Sequence, residues 1–380
     1  MRILVCPDSF KGTLSASEAA NIIAVTMKKR LPNAETVLIP LADGGEGTAE
    51  ALSTVFKGEF ITVKTTDSLN REISAQYLLC KNSVAVIETA EAMGLPQLSS
   101  TERDPEKTSS FGAGLLIKDA VRRGATDIYL TLGGSATNDC FFGALAALGA
   151  EFYTNGVKIG IPCGGDLSKI DKIVLSSEFK SLVSKTKFTA MCDVNNPPYG
   201  LNGAAHIYAP QKGANCEAVE RLDEGVKSLV ELLVKEGFAT NALHTLVGGG
   251  AAGASPVGIT TLLNGKIQSG ITTVLTLTSF VEAAKTCDAI IVGEGKLDKQ
   301  SFMGKVIDGV ISVLKKNNLT PEIYAACGLN ALTEAEYTAQ GLSFVSACDD
   351  GSTPFEVIKK TARERLEAAT AKLCRLIVAK

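Results

Sequence analysis

The chain has 380 residues, 45% hydrophobic and 21% charged, a composition that supports a sizeable core and is long enough for two domains. Its 38 basic residues stand against 41 acidic ones, and the net charge of -3 argues against a nucleic-acid or membrane-surface partner. No run approaches the roughly 18 apolar residues of a membrane span, and the 10 scattered cysteines without a CxxC pair read as reduced thiols of a cytoplasmic protein. His206 and His244 are the only histidines, so structural zinc and histidine-dependent triads have little support.

The chain opens with an apolar run, RILVC (2–6), followed by the polar loop PDSFKGT. A helix is predicted next: Ser15-Ala16-Ser17-Glu18 fits a capping box, and Ala19, Ile22, Ile23 and Met27 fall on one face. Residues 36–39 form the second strand and lead into LADGGEGT (41–48), giving a strand–helix–strand unit that favours a parallel, right-handed crossover. From Phe60 to Glu88 the texture is antiparallel, with ITVKT, SAQYLL and VAVIE separated by turns. Further strands are expected at DIYLTL (127–132) and KFTAMC (187–192). From Asp288 the runs AIIVG, EIYAAC and LSFVSAC alternate with helical patterns, and a long helix from about Pro354 ends the chain.

These elements predict an α/β fold: a doubly wound parallel sheet built from both chain ends (1–58 with 286–380) and an inserted α/β domain (59–285) containing mixed and antiparallel strands. Ligands of open α/β sheets bind beyond the carboxyl ends of the strands. The strand-end sequences DSFKG (8–12), DGGEG (43–47), GEGKLD (293–298) and CDDG (348–351) would converge on one such rim, with an active-site cleft between the two domains. In the middle domain, LGGSATND (132–139) offers Gly133-Gly134-Ser135 amides to a phosphate at a helix N-terminus. Asp193 and Asn195 follow another strand, where they suit a metal or a hydroxyl. GGGAAG (248–253) matches a dinucleotide fingerprint literally, but no acidic residue stands about 20 positions later, and no Walker A motif is present. Lysines beside the loops, with Asp43, Asp193 and Asp298, supply the parts of phosphoryl transfer: cations for phosphate oxygens, carboxylates for Mg²⁺ and a hydroxyl.

PDSFKGTLSA (7–16), PLADGGEGT (40–48), LGGSATND (132–139), CDVNNP (192–197), APQKGA (209–214), GGGAAGA (248–254) and GEGKLDKQS (293–301) together resemble the glycerate kinase type 1 family, in the same order and across essentially the whole chain. The resemblance implies a flavodoxin-like domain with a second domain inserted into it. It also implies ATP- and Mg²⁺-dependent phosphorylation of D-glycerate, with 2-phosphoglycerate the favoured product. A kinase of a related hydroxy acid, or a non-catalytic sugar-acid or nucleotide-binding regulator on the same fold, are the alternatives. On this reading Asp193, Asp298 and Lys11 are catalytic, and Asp193 comes before Asp298 as acceptor of the hydroxyl proton. Asp8, Ser9, Asp43, Glu46, Lys212 and Asn195 bind substrate. Gly133, Gly134, Ser135, Asn138, Glu294 and Lys296 bind ATP, and Asp43 and Asp193 hold the metal. The sequence departs from the family pattern at Cys140-Phe141-Phe142, whose bulk could narrow a pocket, at Pro198, at Ala254-Ser255-Pro256 and at Lys296, where arginine is usual.

Overall fold

The structure, a computed structural model, describes residues 1–379. It divides into two compact units: unit 1 is Met1–Asp43, Glu50–Lys57 and Gly270–Lys380, and unit 2 is Gly44–Ala49 and Gly58–Ser269. In chain order the strands are β1 (Arg2–Pro7), β2 (Glu35–Leu38), β3 (Glu59–Thr66), β4 (Glu72–Leu79), β5 (Val84–Glu88), β6 (Asp127–Thr131) and β7 (Ala150–Thr154). They continue as β8 (Val157–Lys158), β9 (Lys172–Leu175), β10 (Lys187–Met191), β11 (Lys266–Gln268), β12 (Ala289–Leu297), β13 (Glu322–Asn330) and β14 (Phe344–Asp349).

Unit 1 is a five-stranded sheet in the order β14-β13-β12-β1-β2. Every neighbouring pair runs parallel, and β1 lies beside β12 with Val5 opposite Ile291. The two chain ends therefore form one doubly wound sheet. Buried on both faces, its strands read as unbroken apolar runs, such as Ile3–Cys6 and Ala289–Val292. The helix Ala16–Arg30 begins on the expected capping box, with the Ser15 hydroxyl accepting the Glu18 N–H and Glu18 reaching back to the Ser15 N–H. It buries Ala19, Ile22, Ile23 and Met27 in the same core as Leu366, Leu373 and Ile377 of the closing helix Phe355–Ala379. The segment 270–285, expected in the inserted domain, clusters with unit 1 instead. Gly309 explains the contact: a Cβ there would lie 2.3 Å from Ile271, so the helices Val306–Lys316 and Gly270–Leu277 pack with almost no gap.

Unit 2 carries a six-stranded mixed sheet, β11-β10-β6-β5-β4-β3, and a small sheet, β8-β7-β9. The strands β3, β4 and β5 meander antiparallel, whereas β5, β6, β10 and β11 are mutually parallel. Four of the six strands thus have the topology that gathers loops at one carboxyl rim. Cys140, Phe141 and Phe142 are fully buried in its core, where the Phe142 ring lies 4.5 Å from that of Phe152. The expectation that their bulk narrows a pocket is corrected: these side chains fill the core.

Candidate active site

On the unit 1 rim, β1 hands over to Asp8, β2 is followed by Asp43, and Glu294 lies within β12 opposite Cys327. The 293–298 segment is therefore strand as far as Leu297, not a loop from Gly293 as the sequence suggested, because β13 continues to pair with it. The Asp8 N–H donates to the Gly293 carbonyl at 2.8 Å, and Asp8 Oδ1 accepts the Ser9 N–H at 2.6 Å. Burial, reinforced by the Asp43 carboxylate, pushes the Asp8 carboxyl up to about 6, against the Ser9 N–H and the Lys11 ammonium. Glu294 is 7% exposed, and its Oε1 has no hydrogen-bond partner. Burial pushes it up to about 7, opposed by the Ser301 hydroxyl and Lys305 and reinforced by Asp8 and Asp298. Carboxylates that raise one another's affinity for protons are a setting in which a cation or a mobile proton is stabilised.

Asp298 is engaged differently. It caps the short turn Lys299–Phe302, accepting the Gln300 N–H at 2.9 Å while its own N–H donates to the Ser301 hydroxyl at 3.0 Å. Its other oxygen lies 3.3 Å from Lys296 Nζ. The Gln300 N–H, with help from Lys296, holds Asp298 below the usual carboxylate range. Lys11 and Lys296 are both exposed.

Unit 2 has its own rim. The Gly44–Ala49 stretch belongs to it, with positive φ at Gly44 and Gly47 turning the chain into the helix Thr48–Phe56. Glu88, the last residue of β5, accepts the Ala49 N–H at 2.8 Å. Burial raises its carboxyl, the Ala49 and Gly47 amides lower it, and Glu91 and the exposed Glu46 raise it further. Glu88 was not singled out from sequence, although it ends a predicted strand in the same way as the acids that were. Beside it, Gly133 and Gly134 are exposed after β6, and a Cβ on Gly133 would lie 3.6 Å from the Gly45 Cα. The Gly133–Ser135 loop does not open a helix as expected. Its carbonyl at Gly134 takes the Leu95 N–H, the Ala136 N–H donates to Met93, and the next helix begins only at Phe142.

Lys212 is 3% exposed, and its ammonium donates to the Ser135 hydroxyl at 3.0 Å and the Thr137 carbonyl at 2.7 Å. Burial pulls it down to about 7, with Asp139 opposing. Asp139, also buried, accepts the Ser110 N–H and hydroxyl, both at 2.7 Å, and the Gly143 N–H at 3.2 Å. Neither side-chain polar atom of the fully buried Asn138 has a partner. Asp193 and Asn195 are exposed beyond β10. The GGGAAG glycines serve close packing. A Cβ on Gly253 would lie 2.1 Å from the Thr137 carbonyl, and one on Gly249 would lie 2.7 Å from Pro198.

The sequence and the fold both have known relatives. The sequence model described as "Glycerate kinase family" matches residues 3–378. The chain belongs to the glycerate kinase family. Members are phosphotransferases with an alcohol group as acceptor. An Escherichia coli protein named glycerate 2-kinase is 38% identical over 322 residues, 83% of this chain and 82% of its own. An uncharacterized Synechocystis protein is 43% identical over 322 residues, 83% of each chain. A crystal structure from Salmonella typhimurium LT2, provisionally named glycerate kinase 2, superposes with a TM-score of 0.90 at 32% identity, covering 100% of this chain and 98% of the other. The doubly wound sheet with its inserted α/β unit is thus a glycerate kinase architecture.

Proposed function

We propose that the chain transfers the terminal phosphoryl group of ATP to D-glycerate, with Mg²⁺, in the cytoplasm, and that the 2-hydroxyl is the acceptor. The observation that carries the reading is the family match over residues 3–378, which spans the acids Asp8, Asp43 and Glu294 at the carboxyl ends of one sheet. The similarity to the E. coli glycerate 2-kinase supports the 2-position.

Among the described residues no group of three or more His, Cys, Asp or Glu side chains could hold a metal alone. Mg²⁺ in kinase sites keeps several waters and uses one or two carboxylates plus substrate phosphates. Asp43 with Asp8 fits that demand, since the two carboxylates already repel each other; Asp193 is the candidate ligand from unit 2. When bound, the ion neutralises charge on the phosphate oxygens. Exposed Lys11, and Lys296 on release from its ion pair with Asp298, reach a carboxylate or phosphate, with Ser9 and Asn195 offering hydrogen bonds and Glu46 a further acid. The exposed Gly133 and Gly134 amides hold a phosphate of the nucleotide, and the buried Ser135, Asn138 and Lys212 act from behind that loop. Asp193 stands as proton acceptor in unit 2. In unit 1 Glu294, titrating near neutrality, suits that role better than Asp298, whose carboxylate is committed to a cap and an ion pair.

A coupled ADP-release assay with D-glycerate, L-glycerate and other hydroxy acids tests the reading. D-glycerate should stimulate release most strongly, and phosphorus NMR should show 2-phosphoglycerate. Absence of glycerate-stimulated release would refute it.

A further inference from the structure

The CDDG segment has no place in the roles above, yet it walls a cavity of about 280 Å³ at the carboxyl edge of the unit 1 sheet. The cavity lies where β1 gives way to Phe10 and Lys11, over Gly295 of β12 and Gly328 of β13, and beneath the first turns of the closing helix. Its lining is mostly apolar, from Phe10, Leu14, Leu329, Phe355, Ile358 and Ala362. The floor is bare backbone: a Cβ on Gly328 would sit 2.3 Å from the Gly295 carbonyl oxygen. The loop Asp349–Thr353 is tied down by Arg365, which ion-pairs with Asp349, donates to Thr353 Oγ1 at 3.2 Å and to Thr361 Oγ1 at 2.8 Å. Asp349 in turn accepts the Gly351 N–H at 2.7 Å. The wall is therefore built before any ligand arrives.

Glycerate is a small molecule with a polar group on every carbon, and it would bury nothing against such a lining. A flat ring with apolar faces and a polar edge matches it, and the volume stands at the lower end of ligand pockets, about 300 Å³. The same PDSFKG loop carries Asp8 at its start and places Phe10 and Lys11 in the wall, so a nucleotide seated here would leave its phosphates near a lysine and the acids. We propose that this cavity receives the adenine ring of ATP, with Phe355 against the ring. The proposal rests on the reading of the chain as an ATP-dependent glycerate kinase.

Ala362→Phe fills the cavity and Phe355→Ala removes the exposed ring without adding bulk. Filling should raise the KM for ATP about tenfold, with kcat and the KM for glycerate unchanged. Removing the Phe355 ring should raise the KM for ATP about fivefold. Inhibition by inorganic tripolyphosphate, which has phosphates but no ring, should be the same in all three proteins. Binding of the fluorescent analogue TNP-ATP should weaken in parallel with the KM. An ATP KM within about twofold of wild type in both variants, or a rise in the glycerate KM instead, would overturn the assignment. If wild type shows no glycerate-stimulated ADP release, the parent reading fails. TNP-ATP binding, and its loss or retention in the variants, still decides what the cavity holds.

Discussion

Asp139 of unit 2 and Glu294 of unit 1 are both buried acids, but their surroundings differ. Asp139 accepts hydrogen bonds from the Ser110 amide and hydroxyl and from the Gly143 amide, and Lys212 nearby is anchored on Ser135 and Thr137. Glu294 has an oxygen with no partner and lies among other carboxylates. A buried polar group with its partners in place fixes a local structure, whereas one without them costs stability and persists where a ligand or proton compensates. Burial alone therefore does not separate function from scaffold; satisfaction of the buried group does.

The comparison can be broken at several points. Asp43→Asn should lower kcat/KM about a thousandfold and raise the Mg²⁺ concentration needed for half-maximal rate, measured by titrating the metal in the ADP-release assay. An unchanged Mg²⁺ requirement would move the metal away from the Asp8–Asp43 pair. Asp139→Ala should act on stability, costing about 3 kcal/mol in urea unfolding because it leaves buried donors at Ser110 and Gly143 unmet. Glu294 sharpens the contrast through pH. Its folded pKa of about 7 lies above the ordinary 4.5, so the folded state holds a proton that the unfolded chain releases. Its contribution to stability therefore declines as pH rises from 4.5 to 7. Glu294→Gln should remove that decline, gaining about 3 kcal/mol relative to wild type across the window, read from melting temperatures at each pH.

Much of the architecture was legible because apolar runs and turn chemistry are local signals. The Ser15–Glu18 capping box and the β3–β5 meander follow from such patterns, whereas the pairing of the two chain ends is not local and was legible only because a two-strand unit is too small to stand alone. The assignment of 270–285 to unit 1 was not, because it depends on Gly309 admitting Ile271, a contact far apart in sequence. In the site, strand-end acids were readable, but their partners were not. LGGSATND looked like a phosphate loop at a helix start, yet residues 135–139 run into the core and the helix waits until Phe142. Lys212, read from the sequence as a substrate-binding lysine, is buried on Ser135. Glu88 met the same strand-end rule as Asp43, and its engagement with the Ala49 amide needed the fold to be seen. The apolar cavity behind CDDG joins four separate segments of chain, which no single motif announces.

The most direct test compares kcat for Glu294→Gln and Asp298→Asn, with circular dichroism confirming that both fold. Asn keeps the cap at 298, so that variant isolates the charge. Glu294→Gln should lower kcat about a hundredfold, while Asp298→Asn stays within about threefold of wild type. The reverse order, with Asp298→Asn crippled and Glu294→Gln nearly as active as wild type, would contradict the account.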